Sequence, residues 1–172
     1  MTTRDVDRAA VYTAEAMAFE GTDLDATVEL TELRERVRLV VAQRWWPGLH
    51  VAVVGARLDA GSSCARQRGS DGVVEIRIAG PQSSLMTAAH ELAHALAGVP
   101  SGHDAVFRRA YVDVVGVLTN LDSTDRRGGL HADHLASAFD AAGLQLGQRR
   151  WPDPGLPGRA IPLPPVVDSM TA

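Results

Sequence analysis

The order of apolar and polar positions divides the chain into a helical opening, a short β-rich middle and a helical second half. In residues 4–19, Val6, Ala9, Ala10, Thr13, Ala16 and Met17 recur at three-to-four spacing. That period predicts an amphipathic helix with those side chains inward, capped by Thr2 or Thr3 with Asp5 and Asp7 in its first turn. Residues 27–45 predict a second helix, with Leu30, Leu33, Val37, Val40 and Val41 inward, ended by Trp46-Pro47-Gly48. Valine-rich residues 49–58 read as a buried strand, and residues 73–79 as an alternating one with Val74, Ile76 and Ile78 on one face and Glu75 and Arg77 on the other. The polar stretch between them, residues 61–72, is a loop or a poor third strand around Cys64. Helical spacing returns at Ser83 or Ser84 and runs through His90 and His94 to a break at residues 98–102. Residues 103–120 predict a fourth helix on a stripe of Val106, Phe107, Ala110, Val114, Val117 and Leu118. A polar turn at residues 122–129 then leads to a fifth helix over residues 130–142, with Leu135, Ala138 and Phe139 inward.

Five helices around two or three strands in a chain of 172 residues make one α+β domain with a real core. The domain is drawn over residues 1–147. Six of the nine prolines fall in residues 148–172, which therefore read as an extended or disordered tail. Hydrophobic residues are 45% and charged ones 22%, the balance of a globular protein. No apolar run approaches a membrane span. Met1-Thr2-Thr3-Arg4-Asp5 lacks the apolar segment of a secretory signal, so cytoplasmic residence is the expectation. A net charge of −4 argues against strong, non-specific attraction to nucleic acid. The single cysteine, Cys64, excludes an intrachain disulfide and a CxxC zinc site.

The chemistry concentrates in His90-Glu91-Leu92-Ala93-His94, an HExxH segment inside the third helix. Residues four apart on a helix sit about 40° apart around the axis and about 6 Å along it, so two imidazoles can aim at one ion. Glu91 lies roughly 60° from His94 around that axis, badly placed as a ligand but within reach of a water at the metal, the place of a general base. Leu85, Ala88, Ala89, Leu92, Ala95 and Leu96 form the opposite side, expected to anchor the helix while the histidines look into a cleft. No glutamate follows Glu91, and the sixth position after His94 is Pro100. His103, nine residues after His94 and past a turn containing Gly98, Pro100 and Gly102, is the natural third ligand. Asp104, Asp113 and Cys64 are its rivals, although Cys64 reads more simply as a buried structural thiol. Asp104, Asp113 and Asp133 are candidates to hold the second nitrogen of a metal-bound histidine. Tyr111 and His131 are candidates to stabilise an oxyanion.

His90-Glu91-Leu92-Ala93-His94 followed by Ser101-Gly102-His103-Asp104 and Phe107 resembles the SprT-like zincins. Residues 4–146 also resemble a small family of uncharacterised bacterial putative metallohydrolases of similar length, through Arg4-Asp5, Val11-Tyr12 and Ala18-Phe19 and through Phe107-Arg108-Arg109-Ala110-Tyr111. The likeness implies a minimal zincin-like fold, a small twisted sheet packed by helices, with one zinc ion per chain on His90, His94 and His103 and with Glu91 as acid and base. It implies a zinc-dependent metallopeptidase or amidase acting on a peptide or small amide. The strand at residues 73–79 is then expected at the sheet edge bordering the cleft, where extended substrate would pair. Where SprT patterns have Gly, this chain has Asp104, and it lacks their cysteine-rich ribbon and basic surface, so no specific nucleic-acid partner is implied. The alternatives are a metal-dependent hydrolase of a small non-peptide substrate and a non-catalytic metal-binding or interaction module.

Overall fold

The structure, a computed structural model, describes residues 5–68, 72–121 and 128–155. Its elements are α1 (Arg8–Phe19), α2 (Leu30–Val41), β1 (Val51–Gly55), β2 (Cys64–Arg68), β3 (Val73–Ile78), α3 (Leu85–Ala97), α4 (Ala105–Thr119) and α5 (Gly128–Ala141). The fold is α+β: five helices and one three-stranded mixed sheet among the described residues. None of these helices is long and apolar enough to cross a membrane.

The poor third strand around Cys64 forms, and it changes the strand order to β1-β3-β2. β3 runs parallel to β1 and antiparallel to β2. It is therefore the central strand, with backbone groups committed on both sides, and not the edge expected beside the cleft. The edges are β1 and β2, and β2 is one of the two strands that pack on α3. Along β3 the alternation holds: Val74, Ile76 and Ile78 are buried. Glu75, on the other face, is covered by Arg66 at 2.8 Å and Arg77 at 2.6 Å.

The third helix is the axis of the fold. Ser84 caps it by accepting the Thr87 N–H at 3.2 Å, and Gly98, at φ 98°, ends it. Its neighbours pack around it so fully that Ala88 through Ala93 and Ala95 through Ala97 are all buried. The histidine side is thus a second packed face. It meets α4 and the first helix, and a cleft opens beside it onto His90 and Glu91. α4 packs on α5, and α5 on α1, closing the helical layer.

α1 turns a different face inward from the one its spacing predicted. Val11, Ala14, Ala18 and Phe19 are buried, while Val6 and Met17 are 78% and 72% exposed. Alanines make both faces of this helix apolar, and the side carrying Val11 and Phe19 buries the larger area. Glu15 lies on that buried side, between Val11 and Phe19, and its burial marks a specific partner. The expected caps, Thr2 and Thr3, lie outside the described residues, as do residues 122–127 of the expected polar turn.

The chain beyond α5 is anchored for longer than its proline content suggested. Gly147 N–H donates to the Ala105 carbonyl at 2.7 Å, and the Arg108 Nε–H donates to Gln145 O at 2.9 Å. Fully buried Asp113 accepts from Arg149 at 2.6 and 3.0 Å and from the indole N–H of Trp151 at 3.0 Å. The packed domain therefore extends at least to Trp151, past the boundary drawn after residue 147. Residues 156–172 of the expected tail lie outside the described residues.

Candidate metal centre

His90, His94 and His103 come together. One ring nitrogen of each lies within 4.8 Å of the other two, the one such cluster of histidine, cysteine or acidic side chains among the described residues. His90 and His94 arrive on successive turns of α3. His103 arrives because Gly98 and Pro100 start a 3-10 turn, Gly102 leaves it at φ 60°, and Asp104 begins α4 by accepting the N–H groups of Val106 and Phe107 at 2.9 Å. A single aromatic ring supports all three imidazoles. The Phe107 centroid lies 5.1 Å from that of His90, 4.3 Å from His94 and 4.8 Å from His103.

The outer nitrogens of two rings are held by carboxylates that sequence reasoning missed. His90 Nδ1 meets Glu15 Oε2 at 2.7 Å, and His103 Nδ1 meets Asp5 Oδ2. Asp5 also accepts the His103 backbone N–H at 3.2 Å. The expected carboxylates do otherwise: Asp104 caps α4, Asp113 holds Arg149 and Trp151, and Asp133 is exposed. A carboxylate only accepts, so Nδ1 carries the proton in both rings and Nε2 carries a bare lone pair. Those two Nε2 atoms face each other at 3.2 Å.

Facing lone pairs at that distance repel unless a cation lies between them. The separation fits one: two nitrogens bound tetrahedrally at about 2.0–2.1 Å stand roughly 3.3 Å apart. Protonation of His94 or His103 is a poor substitute. Burial, then the neighbouring His90 and His103 rings, push the His94 imidazole down to about 3. Burial also lowers His103, more than its hydrogen bond to Asp5 raises it. The three residues can hold a metal ion.

Glu91 is 6% exposed and lies beside His90. Burial raises its pKa, with the nearby charge of Glu15 adding to the rise, against the lowering effects of His90 and of a hydrogen bond from the Ala65 backbone. A carboxylate raised toward neutrality is suited to take up a proton and return it. A cleft of about 280 Å³ opens onto His90 and Glu91 and is bounded by Arg8, Tyr12, Ser83 and Thr87 among others.

No protein-family model, curated protein or solved structure matches this chain. Its site is therefore read from its own geometry. That geometry removes four candidates. Tyr111 is fully buried, and its hydroxyl faces the Met86 carbonyl at 3.4 Å and Glu15, so it braces the site from behind and cannot meet an oxyanion in the cleft. His131 pairs with Asp23 at 3.2 Å, away from the cluster. Asp113 is committed to Arg149. Cys64, expected to be buried, is exposed at the start of β2 and is not a ligand.

Glu15 could have been found. It interrupts the apolar series Val11, Glu15, Phe19 at four-residue steps, and a charge in a buried stripe needs a partner. Asp5 offered no such signal, because its bond to His103 spans 98 residues.

Proposed function

We propose that this chain is a zincin-like, SprT-like metallohydrolase that cleaves an amide bond, with one zinc ion on His90, His94 and His103. The observation that carries the reading is the pair of Nε2 atoms 3.2 Å apart, each ring held from behind by a carboxylate. His90, His94 and His103 would hold the zinc ion, which would supply Lewis acidity toward a carbonyl and a water.

The chain's own residues do the rest. Glu91 accepts a proton from the attacking water and returns it to the leaving nitrogen, which its burial beside the cluster suits. Glu15 and Asp5 fix the tautomers of two ligands and make them more basic. Phe107 and the packed face of α3 keep the rings in place and water away from all but the cleft side.

Glu91→Gln tests this reading. It should lower amide hydrolysis by roughly 100-fold or more while metal content stays unchanged. Full activity in that variant would remove Glu91 as the base, and loss of metal would make it a ligand. The size of the cleft, about 280 Å³, favours a short peptide or small amide over a long extended substrate. Comparing rates on dipeptide amides and on a denatured protein decides between the two.

A further inference from the structure

The cleft has a wall that the chemistry above does not use. Arg8 and Tyr12 stand one turn apart on α1 and line the cleft with His90 and Glu91. The Tyr12 ring lies parallel to the His90 imidazole, 3° between planes and 5.3 Å between centroids, and leans on His103 at 5.4 Å. Tyr12 is nonetheless 42% exposed, so its outer part faces solvent space. The guanidinium of Arg8 stands 5.5 Å from the centre of the same ring. Among the described residues lining this cleft, Arg8 is the one arginine or lysine.

We propose that Tyr12 is a catalytic residue: its hydroxyl, on a ring stacked against His90 in the cleft, donates a hydrogen bond to the carbonyl oxygen of the scissile amide as negative charge develops there. The proposal rests on the amide-hydrolase reading. It assigns to α1 the oxyanion role that Tyr111 and His131 cannot fill. Tyr12 keeps its proton throughout. The water oxygen bonds to the carbonyl carbon, the carbon–nitrogen bond breaks, and the proton taken by Glu91 goes to the nitrogen. The two residues divide the chemistry: Glu91 handles the proton and Tyr12 the charge on oxygen.

The test uses the full chain loaded with cobalt(II), whose visible absorption reports ligands at the site. Two probes are titrated: inorganic phosphate, a tetrahedral oxyanion with oxygens free of the metal, and acetohydroxamate, a planar anion whose two oxygens both chelate the metal. Tyr12→Phe should keep its cobalt and bind acetohydroxamate within about two-fold of wild type, while its phosphate affinity falls roughly 10- to 100-fold. Phosphate binding that is unchanged in Tyr12→Phe overturns the proposal. So does a loss confined to Arg8→Gln, which would place the anion on Arg8 itself. A wild-type spectrum shifted by acetohydroxamate and untouched by phosphate also overturns it. Failure of the wild-type chain to take up cobalt would instead sink the amide-hydrolase reading on which the proposal stands.

Discussion

Glu15 on the first helix and His90 on the third are joined by a 2.7 Å contact between Oε2 and Nδ1, across 75 residues of sequence. Both side chains are buried. The contact ties the opening helix of the chain to the metal centre and fixes which nitrogen of His90 faces the cluster. Glu15→Gln preserves the shape and removes the charge that polarises the ring. Zinc affinity, measured by competition with a chromophoric chelator, should fall about 10- to 100-fold with the fold intact. An unchanged affinity would mean that Glu15 serves packing alone.

The backbone beside His103 leaves little room for a side chain. Gly102 has φ 60°, and a Cβ added there would stand 3.2 Å from the Asp5 carboxyl carbon. Gly102→Ala should therefore strain the turn by about 1 kcal/mol or more and displace Asp5 from His103. The expected outcome is weaker zinc binding than the small loss of thermal stability would suggest. The control is Gly129→Ala, where a Cβ meets nothing within 4 Å. Equal zinc affinity in both variants would refute the coupling.

Acid should destabilise the metal-free protein through the histidines. His94 titrates near 6.5 when unfolded and is pushed down to about 3 in the fold, chiefly by burial. Between those values the unfolded chain binds a proton that the folded chain does not, so stability falls as pH drops below about 6.5 and is unaffected above it. His103, lowered in the same direction, adds to the slope. The melting temperature of metal-free protein should decline steadily from about pH 7 to about pH 5, and less steeply in His94→Asn. A flat profile in the wild-type chain contradicts this.

Much of this site was legible before any coordinates. HExxH carries its own geometry, because the helical repeat fixes where residues four apart must lie, and the glycine–proline turn limited where His103 could go. The sheet order was not legible. Whether β3 is an edge or a centre depends on which strands pair with it, and the residues of β2, Cys64 through Arg68, are too polar to announce a strand. Nor was the buried face of α1, since a helix rich in alanine offers two apolar sides. Glu15 was lost with that face and Asp5 gave no signal, although the two do the work that Asp104, Asp113 and Asp133 were expected to do.

The clasp on α4 gives a test of the domain boundary. Asp113 is fully buried, and Arg149 and Trp151 both donate to it. Asp113→Ala removes the buried carboxylate that holds Arg149 and Trp151, leaving Arg149 with the exposed Asp153, and should cost roughly 3 kcal/mol. Truncation after residue 147 should cost a similar amount, as both donors leave and Asp113 stays behind. Urea melts of the two variants measure this. A truncated chain as stable as the full one would show that the packed domain ends before Arg149.

Zinc content bears most directly on the central claim. After purification in zinc and dialysis, the wild-type chain should retain about one zinc per chain, and His90→Ala, His94→Ala and His103→Ala should each lose it. Stoichiometric zinc retained by His103→Ala, or none bound by the wild-type chain, would contradict the three-histidine centre.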